Sequence, residues 1–468
     1  MLGITGFGVH IPRYRLTGTT LAAVWGGSGG GERAVANHDE DSLTMAVEAS
    51  LAALAGRSGQ ELGGVMLATT TAPYAEKSSA ALLATVVDAG RDVFVTDLGA
   101  SLRAGTTGLR LALDAVRAGS ARSVLVAAAD IRPSPPGGDL EALLGDGAAA
   151  VVVGEGDDLL ARFEGAYSLT QEFSDVWRKA DARFPEQGDP TFVRAYGYEK
   201  LIPEAVSGLL ARLGLKPQDV ARVACYAPDA RQAPGILRAL KFPDSALLRL
   251  PLLASVGNTG AASPLLALAA ALEEAQAGDR VLVVGYGSGA DALLFQATER
   301  IEGRDRSQGV TVQLRAGRPL AHYGKLLQFR RLVESEVLRA FTGLPVMQRE
   351  ERQDLRLYGQ KCAACGAIQY PWRHLCWQCS GKDLREHRLG RRGRVFTFTR
   401  DHLVPSPDPP TVMAAADLDG GGRFYTQMTD VDPATVAVGT PVELTFRRFH
   451  EGGELVNYFW KFRPLLTP

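Results

Sequence analysis

Four of the five cysteines in this 468-residue chain fall in one short stretch, Cys362-Ala-Ala-Cys365 and Cys376-Trp-Gln-Cys379. Two Cys-x-x-Cys knuckles, separated by the ten residues Gly366 to Leu375, put four thiolates within reach of one tetrahedral ion, and sulfur donors at this spacing point to zinc. Four cysteines also close the coordination shell. A catalytic zinc keeps an open position and uses His or carboxylate ligands, so this site is read as structural. Gly366 stands where the first knuckle needs a tight reverse turn, and Pro371 and Trp372 are placed to pack over the loop. Disulfides are the weaker reading. The chain opens on Met1-Leu-Gly-Ile-Thr-Gly-Phe7, a strand rather than a charged leader, and Cys225 lies far from the other four. The expected setting is cytoplasmic and reducing.

The elements that must carry any chemistry come from the rest of the chain. A hydrophobic content of 46% supports a sizeable core spread over two or three domains. The 51 basic and 52 acidic residues are well mixed, which argues against a nucleic-acid or anionic-membrane partner. No run of about 18 apolar residues suggests a membrane span. Up to about residue 320, buried strands at Val65 to Thr70, Ser123 to Ala129, Ala148 to Val153, Val223 to Ala227 and Arg280 to Val284 alternate with helices at Ser42 to Leu54, Gly105 to Ala118 and Ile202 to Leu213. This is an α/β architecture. The order strand, small-residue turn, Ala/Leu helix, strand occurs twice, which implies two related halves, 1–165 and 166–330. A helix starting at Ala321 and a helical connector lead into the ribbon, 331–390 together. Short strands at Val395 to Thr399, Val412 to Ala416, Phe424 to Met428, Val442 to Phe446 and Tyr458 to Phe462 then predict a five-stranded OB-type barrel over 391–468.

Several separate motifs give residues 1 to about 330 a family resemblance. They are Asp39-Glu-Asp-Ser-Leu-Thr-Met-Ala-Val-Glu-Ala49, Pro73-Tyr74 with Lys77, Arg103-Ala-Gly-Thr-Thr-Gly-Leu109, Gly145-Asp-Gly-Ala148, Val256-Gly-Asn-Thr-Gly-Ala261 and Gly285-Tyr-Gly-Ser-Gly-Ala290. In order and spacing they resemble the thiolase superfamily, in particular the bacterial and archaeal hydroxymethylglutaryl-CoA synthases. Residues 334–468 resemble the zinc-ribbon and OB-fold partners of thiolase-like enzymes, here fused in one chain. The resemblance implies a duplicated five-layer α-β-α-β-α fold, a coenzyme A thioester as substrate and a homodimer.

That family works with a Cys nucleophile, a Glu base and a His, and this chain departs from it at all three positions. Leu102 stands where the nucleophile belongs, next to Ser101; Thr70 stands at the Glu position; and Tyr226 replaces the His. The oxyanion Asn is matched by Asn258, beside the turn containing Ser288 and Gly289. A thiolase-like pocket without a nucleophile can still hold an enolate, which is what retro-aldol cleavage of a 3-hydroxyacyl-CoA requires. The implied catalytic residues are Tyr226 as proton-transfer group and Asn258 with backbone N–H groups near Ser288 and Gly289 as enolate stabilisers. This resembles the steroid side-chain aldolases, an aldehyde-lyase activity. The alternatives are a synthase or acyltransferase acting through Ser101, or a noncatalytic acyl-CoA-binding scaffold. Tyr74, Tyr198 and Tyr286 are further phenols near the motifs, and Arg231, Arg238 and Lys241 are candidate contacts for CoA phosphates.

Overall fold

A computed structural model describes residues 1–27, 29–334, 336, 340–452 and 454–466. The chain forms two compact units: Met1–Ala36 with Asp41–Leu326, and Asn37–Glu40 with the chain from Leu327 onward. Part of the expected connector, at residues 335 and 337–339, lies outside the described residues.

The first unit is built on nine strands: β1 (Leu2–His10), β2 (Gly64–Ala68), β3 (Phe94–Leu98), β4 (Ser123–Asp130), β5 (Gly147–Glu155), β6 (Ala161–Thr170), β7 (Arg222–Cys225), β8 (Arg280–Tyr286) and β9 (Gly289–Ala297). They form one mixed sheet in the order β7-β8-β9-β6-β1-β5-β4-β2-β3. The sequences of β4 and β5 are almost uninterrupted apolar runs and both strands are buried nearly throughout, as expected when a sheet is covered on both faces. The helices α1 (Ser42–Ala53), α2 (Ala104–Arg117), α3 (Glu199–Leu213) and α4 (Ser263–Glu274) pack against it. A reciprocal capping box between Asp41 and Thr44 starts α1. In α4 every residue from Ser263 to Leu272 is buried, the signature of an interior helix.

The two halves repeat one order of elements. β2, a helix at Ser79–Val86, β3, α2 and β4 are followed in the second half by β7, a helix at Gln232–Ala239, α4 and β8. One member is missing from the repeat. Residues 226–279 hold no strand corresponding to β3, so β7 ends the sheet. The halves join where β1 meets β6 through Gly3↔Arg162 and Ile4↔Ala161. A Cβ on Gly3 would sit 2.1 Å from the Ala161 carbonyl oxygen, so this seam requires glycine.

In the second unit, β10 (Tyr358–Cys362) pairs with β11 (Ile368–Gln369) and β12 (Leu384–Arg388) to form the ribbon sheet. The strands β13 (Arg392–Asp401), β14 (Thr411–Leu418), β15 (Arg423–Gln427), β16 (Pro441–Gly452) and β17 (Leu455–Pro464) form a five-stranded sheet in the order β15-β14-β13-β16-β17. A bridge between Met428 and Phe462 links its two outer strands, consistent with the expected OB-type barrel. Two short helices, Leu344–Arg349 and Glu351–Asp354, stand where a helical connector was expected. Arg447 is fully buried and pairs with Asp39, Glu40 and Asp430, while Lys461 pairs with Asp39 at 2.9 Å. These cations hold the Asp39 carboxyl far below the usual range despite its burial.

Candidate active site and metal centre

The two cysteine knuckles fold alike. Cys362 donates its N–H to Ala367 and accepts at its carbonyl from Gly366; Cys376 donates to Gly381 and accepts from Ser380. Gly366 (φ 76°) and Ser380 (φ 57°) occupy the same left-handed position four residues after the leading cysteine. The four sulfurs all lie within 4.8 Å of one another, with Cys362 to Cys379 and Cys365 to Cys376 each at 3.6 Å. A disulfide needs about 2.0 Å. Four ligands at about 2.3 Å from a tetrahedral zinc stand about 3.8 Å apart. The donor set therefore fits a closed structural zinc, which ties the two knuckles together and leaves no ligand position for substrate.

The other site is assembled in the first unit from residues far apart in sequence. Tyr226, at the end of β7, is buried and accepts a 2.9 Å hydrogen bond from the Asn258 amide. Its ring stacks on Tyr286 at 5.8 Å and 24°, and Tyr198 stands edge-on to Tyr286 at 5.7 Å while its hydroxyl donates to the Tyr226 carbonyl at 2.8 Å. Leu102 belongs to the same buried cluster. Burial pushes the Tyr226 phenol up to about 12, partly offset by Asn258 and pushed further by the charge of Asp175. Tyr226 is therefore neutral near pH 7, and with Asn258 bonded to its oxygen its own proton remains available to donate elsewhere.

Asp175 is the member of this site that sequence reasoning missed. It is buried, with its carboxyl raised by desolvation above the ordinary aspartate range. Tyr286 faces it: among the described residues the Tyr286 hydroxyl finds no hydrogen-bond partner of good geometry, yet burial and the nearby Asp175 charge push that phenol far up. Gly197 makes room for this hydroxyl, since a Cβ there would come within 2.3 Å of it. Gly197 and Tyr198 end a π-helical turn, Val193–Tyr198, a rare form that recurs at functional sites. No motif surrounds Asp175 in the sequence. The one signal available was an aspartate in an otherwise irregular stretch after β6.

The turn entering α2 is held tightly. Ala100 has a left-handed φ of 61°, and Ser101 donates to the Gly287 carbonyl at 3.3 Å. A Cβ on Gly287 would stand 3.1 Å from the Leu102 nitrogen, so the 285–289 turn lies directly against the backbone of residues 101–103. Gly287, Ser288 and Gly289 have successive φ values of 152°, 46° and 122°, and the Ser288 side chain is exposed. Arg103 anchors the arrangement through Leu169 O at 2.8 Å, and Thr106 and Thr107 bond Asp291. Thr70 is committed elsewhere: its N–H and hydroxyl both donate to the buried Asp130. Arg132 approaches the Thr70 hydroxyl at 3.4 Å and lowers the pKa of both Tyr226 and Asp175.

The remaining candidates do not converge. Arg231 and Lys241 are exposed, and Arg238 is engaged with Asp244 at 3.1 Å on the surface. Tyr74 lies beside Lys77. Cys225 does border the Tyr226 site, but burial pushes its thiol up to about 12 and it bonds the Tyr226 carbonyl, so it is not a thiolate nucleophile.

Comparison with known proteins fits this division. Residues 96–167 match the family "3-Oxoacyl-[acyl-carrier-protein (ACP)] synthase III" and 210–295 its C-terminal part. Residues 349–385 match "ChsH2, rubredoxin-like zinc ribbon domain" and 386–447 "ChsH2, C-terminal OB-fold domain". A hydroxymethylglutaryl-CoA synthase of Methanopyrus kandleri is 35% identical over 313 residues, covering 64% of this chain and 89% of the relative. That of Archaeoglobus fulgidus is 31% identical over 347 residues, covering 72% of this chain and 100% of the relative. A crystal structure of a hydroxymethylglutaryl-CoA synthase complexed with CoA superposes with a TM-score of 0.64 at 19% identity, covering 74% of this chain and 95% of that one, a likeness of fold.

Proposed function

The chain belongs to the hydroxymethylglutaryl-CoA synthase family, and we propose that within it this protein cleaves a 3-hydroxyacyl-CoA by a retro-aldol reaction that forms no covalent acyl-enzyme. The observation that carries this reading is the side chain at the family's nucleophile position. Leu102 is an inert alkyl group, packed with Tyr198, Tyr226 and Tyr286 where an acyl-thioester would otherwise form.

Tyr226 handles the proton of the substrate 3-hydroxyl. Because burial keeps this phenol neutral, it acts as a relay: its oxygen takes the substrate proton as its own proton leaves toward Asp175, a buried carboxylate already inclined to bind one. Asp175 acts on Tyr226 through its charge and contacts Tyr286, so the transfer runs through an intervening group such as the Tyr286 hydroxyl. The C3–O electrons form the carbonyl, the Cα–Cβ bond breaks, and its electron pair passes into the thioester as an enolate. Donors proposed to face the thioester oxygen, Asn258 and backbone N–H groups near Ser288 and Gly289, stabilise that charge, and protonation at Cα releases the shortened acyl-CoA. Asn258 thus serves both the phenol it now bonds and the developing oxyanion. The protein is further proposed to act as a homodimer, because among the described residues the outermost strand β3 has an unpaired edge, with Phe94 and Val95 partly exposed.

The test is product analysis with a panel of 3-hydroxyacyl-CoAs, combined with intact-mass measurement. The expected result is an aldehyde or ketone, a shortened acyl-CoA and no mass adduct. An acyl adduct on Ser101 would establish the synthase or acyltransferase alternative instead, and binding with no product from any substrate would leave a scaffold.

A further inference from the structure

The missing strand of the second half leaves a cavity. In the first half β3 lies alongside β2, but in the second half the corresponding flank of β7 has no strand beside it. The chain there, residues 244–254, forms a short 3-10 turn and a four-residue helix instead. Between this segment, the helix Gln232–Ala239 and the buried face of α4 lies a space of about 290 Å³. Val223, Leu237, Leu250, Leu253 and Leu266 wall it, and at one side it is bordered by Tyr226 and by Thr259, the neighbour of Asn258. Among the described residues, none that lines it is charged. Arg33, close to Gly257, is not part of the lining and directs its guanidinium to the Glu32 and Leu253 carbonyls.

We infer that this cavity receives the acyl group of the substrate and that the group is apolar and uncharged, which sets this protein apart from the hydroxymethylglutaryl specificity named for its relatives. The inference rests on the reading of the chain as an acyl-CoA enzyme. A hydroxymethylglutaryl group ends in a carboxylate. Placed among leucines, that carboxylate would give up water and meet no charged side chain among the described lining residues, and a charge moved into apolar surroundings without a partner is disfavoured. An alkyl or ring-bearing acyl group loses nothing polar and gains the contact area of the leucine walls. The site of chemistry and the cavity meet at Tyr226, so a 3-hydroxyl held at the phenol leaves the distal part of the acyl group to enter the leucine-lined space.

S-alkyl-CoA thioethers separate this inference from the reaction, because they bind but cannot be cleaved. Titration calorimetry on the full chain is expected to give S-octyl-CoA a Kd at least about 100-fold below that of an ω-carboxyalkyl-CoA of equal length, a ratio in the range set by rejecting a mismatched group from an apolar pocket. Leu250→Trp from one wall, and independently Ala233→Leu from another, fill the cavity; each is expected to weaken S-octyl-CoA at least about 10-fold and leave CoA itself unchanged. Equal affinity for the two thioethers, preference for the carboxylated one, or filled variants that bind S-octyl-CoA normally would overturn the inference. Failure of the two ideas is distinguishable. Tight, cavity-dependent thioether binding without cleavage of any 3-hydroxyacyl-CoA removes the retro-aldol reading alone, whereas cleavage that favours ω-carboxylated substrates removes the cavity assignment alone.

Discussion

The ribbon and the pocket are both sets of polar groups brought to one point, but they follow opposite rules. In the ribbon all four ligands are present and duplicated in geometry, and four sulfurs would close the shell of an ion held among them. In the pocket, on the proposed reading, the side chains at the family's three reactive positions are exchanged, and they sit on a tightly held frame: the turn at Ala100, the positive-φ run at 287–289 and the buried α4. A metal site tolerates no partial change, because losing one of four sulfurs opens the shell. A catalytic scaffold can change its chemistry while its frame stays, because groups such as Asp130 and Asp291 hold the backbone and neighbouring threonines through their own hydrogen bonds.

Removing the metal tests the first half of that contrast and should give the largest effect. Structural zinc binds to zinc-finger peptides with about 10–16 kcal/mol, and that binding is coupled to their folding. Chelation, or Cys362→Ser, should therefore unfold residues 358–388, read as loss of hydrogen-exchange protection in β10 and β12. Retained protection after verified metal loss would mean the ribbon is held by its packing, and the contrast with the pocket would collapse.

The pocket should respond in rate more than in folding. Tyr226→Phe keeps the ring stack on Tyr286 and removes only the hydroxyl, so turnover should fall by about 10² to 10⁴, while the Asn258 amide left without its acceptor lowers stability by about 1–3 kcal/mol. A loss under tenfold would remove Tyr226 from proton transfer. Asp175→Asn provides a second reading. The carboxyl must be ionised to take a proton, so wild-type turnover should decline as pH falls through its raised pKa, above the ordinary aspartate value. The Asn variant should be slow and lack that acidic limb; an unchanged limb would assign it to another group.

What was legible in the sequence follows the same line. The ribbon's ligands and its turn glycine lie within a few residues of each other, so spacing alone specified them. The five barrel strands and the deeply buried strands β4 and β5 were legible from alternation and apolar runs. β3, β6 and β9 were not read as strands: β3 is partly exposed and short, and β6 mixes polar residues along its length, so neither carries a clear period. In the pocket Tyr226 and Asn258 emerged only because motif positions could be matched to relatives, and the structure does bring them to hydrogen-bond distance. Asp175 had no motif, and its nearness to Tyr286 depends on the π-helical turn that places Gly197, a feature with no simple sequence signal. The cavity was equally hidden, since residues 246–253 are as apolar as a buried strand.

The smallest effect concerns two similar pairs. Asp354 in the second unit, like Asp175 in the first, is a carboxyl raised by burial beside a phenol, but here the pairing is complete: Tyr370 donates to Asp354 at 3.2 Å and stacks on Phe424 at 4.4 Å. Burial lifts Asp354 to about 6. A carboxyl whose pKa is higher in the folded state binds more protons there, so its favourable contribution is complete below the ordinary value near 3.8 and is lost as pH rises through about 6. Asp354→Asn keeps an acceptor for Tyr370 and removes the charge. After allowance for partial exposure it should stabilise the second unit by about 1–2 kcal/mol at pH 8 and by almost nothing at pH 4. Asp175→Asn should show the same sign of stability change but, unlike Asp354→Asn, at the expense of turnover. If both substitutions stabilise without slowing the reaction, Asp175 is a structural carboxyl like Asp354, and the relay through Tyr226 must end elsewhere.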